Sequence, residues 1–528
     1  MNPVQLSLFS SRIEAVCEEM GAVLRRSAFS PNIKDRLDFS CAVFDAAGQL
    51  SAQAAHIPVH LGSMAYAMAD VVAQIEWRAG DMLVLNDPFL GGTHLPDVTV
   101  IAPVFVEQQL LGFVANRAHH ANIGSESPGS MPIATNLAEE GIVIAPTRIL
   151  RGGHLDESVM QALTERDNPQ TRGDFTAQIS ANRIGVERLG QLIRKTGAGE
   201  YRKSLHALND YAERLARSAL DDIADGVYEF NDVMDDDGCG AQDVALAVRL
   251  EIQGSEVLVD FTGTAKQVAG NINCPLPVTA AAVFYVFRCL MPANTPACAG
   301  SFRPITIKAK LGSLVNAERP AAVAAGNVET SSRLVDVILG ALAQAMPKRI
   351  PAASEGTMNN IAMGATASRG YRRWDYYETL GGGGGASAVG PGLNGRQCHM
   401  TNTLNTPVES LEKHYPLRIR RYALRRGSGG PGQFCGGDGV IREFEFLRPA
   451  QISLLTERRR HRPWGLQAGC VHQQSAGAAG ENLLNGKALP GKYQGQVEVG
   501  DILSIATPGG GGWTNHCSKS RRDRPPTH

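Results

Sequence analysis

Apolar residues recur at steps of three and four between Val4 and about Arg26, at Leu8, Ile13, Val16, Met20, Val23 and Leu24. This spacing predicts an amphipathic helix that ends near Ser30-Pro31. A short β-branched and aromatic run, Phe39–Phe44, then reads as a strand. The turn Asp45-Ala46-Ala47-Gly48 joins it to Leu50–Gln53 as a hairpin. His56 and His60 follow on a stretch read as extended, four residues apart and so on one face; they read as structural histidines, with reach into the pocket of the candidate site below as the alternative. A helix is expected from Ser63 to Ala73, and strands at Met82–Leu85, Val98–Val106 and Leu111–Ala115, the last delivering His119 and His120 from its far end. From about Phe175 to Ile223 the pattern is helical again, with Tyr201, Leu205, Leu208, Ala212, Leu215 and Ala219 on one face.

Near Asp225-Gly226 the period shifts toward two. Val227–Phe230, Val244–Ile252 and Val257–Phe261 read as strands. The acidic turn Asp235-Asp236-Asp237-Gly238 lacks the ligand spacing and terminal Glu of an EF-hand, so a solvated hairpin tip is expected. Val278–Leu290 and Ser332–Ala345 are helical, with a strand at Ile305–Ala309 between them and Ser331 or Ser332 as a candidate N-cap. Beyond Tyr371 glycine dominates, and strands are expected at Ile441–Leu447, Ile452–Thr456 and Val497–Ile505. The expected fold is a mixed α/β (α+β), β-rich chain of several subdomains with a predominantly β C-terminal third. Its divisions are an N-terminal α+β region (1–224), an α+β middle region (225–370), a glycine-rich β region (371–517) and a disordered basic tail (518–528).

Composition narrows the function classes. The formal net charge of -1 over 528 residues argues against binding nucleic acid or a membrane surface through bulk charge. The start lacks a signal-peptide pattern and no apolar run reaches the ~18 residues of a membrane helix, so a cytoplasmic protein is expected. Ten scattered cysteines with no C-x-x-C pair fit reduced thiols. Glycine is 57 of 528 residues, about 11% against a usual ~7%. Neither Gly381–Gly385 nor Gly427–Gly439 has the Gly-Lys-Ser/Thr spacing of a phosphate loop, and no G-x-S-x-G elbow is present. These glycines read instead as turns or as backbone lining a site or interface.

The densest candidate chemistry is Leu85–Val100, where Gly91-Gly92-Thr93-His94-Leu95-Pro96-Asp97 places a His and an Asp three apart on a loop between strands. Imidazole and carboxylate are ligands for zinc, manganese or iron, and His119-His120 can supply a third ligand and a proton carrier. By spacing alone, a loop with Asp97 capping a turn remains the alternative.

Several long segments together resemble the hydantoinase B/5-oxoprolinase family, which includes subunits of acetone and acetophenone carboxylases. They include Asn32-Ile33-Lys34-Asp35-Arg36-Leu37-Asp38-Phe39-Ser40-Cys41, Ile57-Pro58-Val59-His60-Leu61-Gly62, the His94 loop, and His119-His120-Ala121-Asn122-Ile123-Gly124. Pro128–Pro132, Gly326–Thr330, His399–Glu409, Tyr415–Arg418 and Thr507–Gly512 continue the match, so it runs to about residue 513.

The resemblance implies the B-type subunit of an ATP-dependent hydrolase that opens a cyclic amide, with ATP and Mg bound by a hydantoinase A-like partner in a hetero-oligomer. It implies a divalent metal (Zn, Mn or Fe) on His94, Asp97, His119 and a carboxylate of the N-terminal segment, Asp35 or its rival Asp38. His120 is expected to shuttle protons and Asp87 to orient the attacking group. A ketone carboxylase subunit and a non-catalytic scaffold are the alternatives. Asn122 stands where the family has Asp, and Ser125 where a second Gly is common.

Overall fold

The computed structural model describes residues 2–54, 56–164, 169–366 and 373–515; the basic tail 518–528 lies outside them. The architecture is mixed α+β, with strands dominating beyond residue 415. Its N-terminal part is organised on a seven-stranded sheet, read across as Leu50–Gln53, Phe39–Asp45, Gln109–His119, Asp97–Val106, Met82–Leu85, Thr147–Arg151 and His154–Leu155. Helices cover both faces, which is why the central strands read as continuous apolar runs. Side chains alternate between two cores. Val98, Val100, Ala102 and Val104 meet Ile13, Met20, Phe175 and Tyr201 of the long helices. Ile101, Phe113 and Ala115 meet Leu61, Met64 and Met68 of helix Pro58–Ala73.

The helix predicted from Val4 is Pro3–Ser27, begun by an Asn2 capping box in which Gln5 returns the bond. The single helical stretch expected over 175–223 is two helices, Pro169–Thr196 and Ala198–Asp221, broken at Gly197 with φ 85°. The segment read as extended around His56 and His60 is extended only to Ile57. Proline at position 58 opens a helix there, placing His60 in its first turn. The strand expected over Val497–Ile505 divides into Lys492–Val497 and Ile502–Ala506, separated by a turn at Gly500. No capping serine is needed at 331, because Gly326–Thr330 is a π-helical turn running directly into Ser331–Ala345.

The acidic turn is solvated only at its tip, residues 238–240, while Asp235 and Asp237 are buried. Asp235 is fully buried and accepts backbone N–H bonds from Arg459 (2.6 Å), Arg460 (3.0 Å) and His461 (3.2 Å). Asp237 accepts from the N–H groups of Cys239, Ala241 and Gly270. These carboxylates tie distant loops to the sheet Gly226–Asp236, Gln242–Gln253, Glu256–Asp260 and Ile305–Lys308. The glycine patches form neither turns alone nor a phosphate cradle. Gly510 N–H bonds to Gly437 O and Gly437 N–H to Gly384 O, so three segments stack backbone on backbone. A Cβ at Gly383 would lie 1.9 Å from Gly437 O, and only glycine permits that approach. Among the described residues no helix is long and apolar enough to cross a membrane.

Candidate metal centre

Strand register builds the site. Asp97 opens the strand Asp97–Val106 and is the direct antiparallel partner of His119, which closes Gln109–His119. Directly opposed residues project to the same face with Cβ atoms about 5 Å apart. That face carries Ile101, Phe113 and Ala115, so it lies under helix Pro58–Ala73. His94 reaches the pair from the preceding loop. Gly91 (φ 103°) turns the chain there, and a Cβ on Gly92 would strike Asn86 O at 2.3 Å. Asn86 then clamps the loop, donating to Leu95 O (2.8 Å) and Ile142 O (2.9 Å) and accepting from Ile144 N–H. Arg117, buried on the same face, donates to Thr99 Oγ1, Ser63 Oγ and Gly91 O and so bolts strand, helix and loop together. Burial lowers its pKa to about 10.

His94, Asp97 and His119 each offer one ligand atom, and these atoms lie within 4.8 Å of one another. The two oxygens of Asp97 are differently employed. Oδ2 accepts from Thr93 Oγ1 (2.7 Å) and Asn327 Nδ2 (3.3 Å) and lies 3.2 Å from both His60 Nε2 and His94 Nε2. Oδ1 and His119 Nε2 have no hydrogen-bond partner although both are buried, and the buried His94 Nε2 has only its contact with Asp97 Oδ2. An unsatisfied buried polar atom costs about 1–3 kcal/mol. Two such atoms in a cluster of three ligand side chains fit a cation site, and two imidazoles with one carboxylate suit zinc, manganese or iron(II). Burial would raise the Asp97 carboxyl, but His60 and His94 hold it well below the usual carboxylate range. Burial holds His119 well below the usual imidazole value, so it is neutral, as a ligand must be.

Around these atoms stands an orienting shell. The His119 ring stacks on Tyr377 (centroids 4.5 Å, 2° between planes), and its Nδ1 meets the Asn32 amide at 3.1 Å, leaving Nε2 toward His94 and Asp97. Arg36 lies over the other partner of that stack, 4.9 Å from the Tyr377 ring centre. Tyr377 donates to Asn360 Oδ1 (2.6 Å), and Asn360 donates to Glu329 Oε1 (2.6 Å), in the same π-helical turn as Asn327.

The structure does not bring Asp35 to this point. It is half-buried at the C-terminus of the short helix Pro31–Lys34, its N–H bonded to Pro31 O. Asp38 is brought there: its carbonyl accepts from His119 N–H (3.0 Å), which places it in line with His119 and Asp97 across three adjacent strands. Its carboxylate is 3.9 Å from His60 Nε2 and 3.7 Å from Arg36. Burial raises its pKa against the lowering effect of Arg36 and His60.

Neither residue expected to handle protons joins the cluster. Neighbours on a strand point to opposite faces. His120 therefore leaves the face His119 occupies, packs on Phe175 (4.5 Å) and places Nε2 2.9 Å from Gln178 Oε1. Asp87 caps the turn Pro88–Leu90, accepting from Phe89 N–H (3.0 Å), and its other oxygen pairs with Arg319. Sequence reasoning favoured a structural role for His60 and did not single out Asn327. A helix-opening Pro58 was the available signal for the first; nothing local marks the second. Asn122 braces the loop beyond His120, donating to Asp375 (3.0 Å) and accepting from Gly124 N–H.

The chain is similar to several known proteins. An uncharacterised protein of Methanocaldococcus jannaschii is 39% identical over 97% of this chain and 91% of its own. A Pseudomonas protein named as the B-type subunit of a D-/L-hydantoinase is 31% identical, with 98% and 90% covered. The 5-oxoprolinase 1 of Arabidopsis thaliana is 39% identical over 97% of this chain, which spans only 42% of that longer protein. Among solved structures, an ATP-dependent caprolactamase from Pseudomonas jessenii superposes with a TM-score of 0.90 at 26% identity, covering 98% of this chain and 91% of that one. The model of the family described as hydantoinase B/oxoprolinase matches residues 2–516, and this chain belongs to that family.

Proposed function

We propose that the chain is the catalytic B-type subunit of an ATP-dependent amidohydrolase that opens a cyclic amide such as a hydantoin, 5-oxoproline or a lactam. The observation that carries this reading is the buried cluster of His94, Asp97 and His119, whose ligand atoms lie within 4.8 Å of one another and which leaves His119 Nε2 and Asp97 Oδ1 without a hydrogen-bond partner. The names of the relatives and of the caprolactamase supply the reaction class. An unstrained ring amide resists hydrolysis through resonance; phosphorylating its oxygen makes the carbon a better electrophile. The ATP and Mg for that step belong to a hydantoinase A-like partner, in line with the missing phosphate loop and with the greater length of the 5-oxoprolinases.

His94, Asp97 and His119 hold the divalent ion, with Asp38 as the carboxylate nearest them. When bound, the ion supplies Lewis-acid chemistry, polarising oxygen and lowering the pKa of water. Thr93 and Asn327 fix Asp97 by one oxygen and leave the other free. His60 and Asp38, beside the triad, are placed to hold or accept a proton. His120 and Asp87 act as positioning residues, through Gln178 and Arg319 respectively.

Co-expression with a hydantoinase A-like subunit tests the reading. The complex is expected to open at least one of hydantoin, 5-oxoproline or caprolactam with ATP consumption and no incorporation of labelled bicarbonate. The isolated chain is expected to show no ATPase. Incorporated bicarbonate, or a complex inert toward every cyclic amide, overturns it.

A further inference from the structure

A cavity of about 940 Å³ lies apart from the triad, framed by helices Pro3–Ser27, Ala198–Asp221 and Leu276–Leu290. Its lining has an unusual charge arrangement. Glu14 and Glu18 face it from the first helix, Arg214 from the second and Arg288 from the third. Some buried arginines of the protein are paired with carboxylates, as Arg333 with Glu457 and Arg442 with Glu378, and others, such as Arg117, are held by neutral oxygens. Here, among the described residues, none of the four lies within ion-pair distance of an opposite charge. Glu14 accepts only from Ser10 Oγ (2.8 Å). Arg288 donates one arm to Thr295 O, and its Nη1 is buried with no partner. Burial works against the guanidinium's charge, and Glu14 is close enough to favour it.

Acidic side chains on one side of the space and a half-buried guanidinium on another match a ligand that carries both charges. Between them the wall is apolar, with Leu6, Leu61, Leu208, Phe284 and Phe302. The floor is the segment His56–Gly62, whose His60 touches Asp97 on its other side, so cavity and triad share one wall.

We propose that this cavity binds an open-chain amino acid as a zwitterion, its carboxylate on Arg288 and its ammonium on Glu14 and Glu18, with its methylenes along the apolar wall. Ring opening of a cyclic amide produces such a molecule. Its identity as reaction product rests on the function proposed above, whereas its binding does not.

The test is calorimetric titration of the purified chain with 6-aminohexanoate, and with hexanoate and hexylammonium as single-charge controls. The zwitterion is expected to bind at least tenfold more tightly than either control. Arg288→Gln should weaken 6-aminohexanoate and hexanoate tenfold or more and leave hexylammonium unchanged. Glu14→Gln should do the reverse. Arg288→Lys, which keeps the charge, should recover part of the loss and shows that the fold is intact. His94→Ala should bind as the parent does. No binding of 6-aminohexanoate at millimolar concentration, or equal binding by Arg288→Gln, overturns the proposal. Binding without cyclic-amide turnover by the complex would instead remove the function reading and leave the amino-acid site standing.

Discussion

Asp97 and His119 face each other directly across an antiparallel strand pair, and the carboxylate of one and the imidazole of the other meet His94 from the adjoining loop. A rigid ladder therefore sets two of the three donors before any ion arrives. Sites built on strands keep their geometry better than sites on loops alone.

Removing a donor should remove the ion. His94→Ala and Asp97→Ala are each expected to lose bound metal, read by elemental analysis of the purified, folded variants. Full stoichiometry in both would place the metal elsewhere.

The two N-terminal carboxylates separate cleanly. Asp38→Asn should weaken metal binding by about 10–100-fold, the usual effect of a disturbed ligand environment. Asp35→Asn should leave the affinity unchanged, since its side chain is outside the cluster. Competition with a chelating indicator distinguishes them, and a larger loss in Asp35→Asn would reverse the assignment.

Glu140 predicts a pH dependence of stability. Its Oε1 accepts from Val323 N–H (2.9 Å) and Ala324 N–H (2.8 Å), but burial outweighs these bonds and raises its pKa to about 8. The native state thus holds this proton more tightly than the unfolded chain, where the group titrates near 4.5. Its contribution is full below about pH 4.5 and declines as pH rises to about 8. Glu140→Gln, which stays neutral, should flatten the urea-unfolding profile over that window. An unchanged slope would show that Glu140 is not the group responsible.

Gly383→Ala should destabilise strongly, because its Cβ would meet backbone at Gly437 and Gly510 that no rotamer change can relieve. Overpacking typically costs about 1–3 kcal/mol, and a backbone clash stands at the upper end. Gly199→Ala, in open space inside helix Ala198–Asp221, is the control and should be stabilising by roughly 0.5–1 kcal/mol. Thermal melts of the two variants should move in opposite directions.

The sequence by itself determined most of the elements and most of the candidate ligands. Helical spacing marked Pro3–Ser27 and Leu276–Leu290, and alternating or continuous apolar runs marked the sheet strands, because those periods record which face is buried. His94, Asp97 and His119 were legible because ligand chemistry is confined to few residue types and the motif was local. Even the parting of His119 and His120 was implicit in strand alternation.

Tertiary structure alone decided what depends on distant segments. Asp38 rather than Asp35 lines up with His119 because one neighbouring strand fixes the row. His60 turns toward Asp97 because helix Pro58–Ala73 packs over that face. Asn327 arrives from 230 residues away. Asp235 looked like solvent-facing charge and became a buried anchor once the Arg459–His461 backbone closed over it. No local pattern encodes such contacts: they arise when separate segments bury each other's polar groups, and each group must then find its partner there.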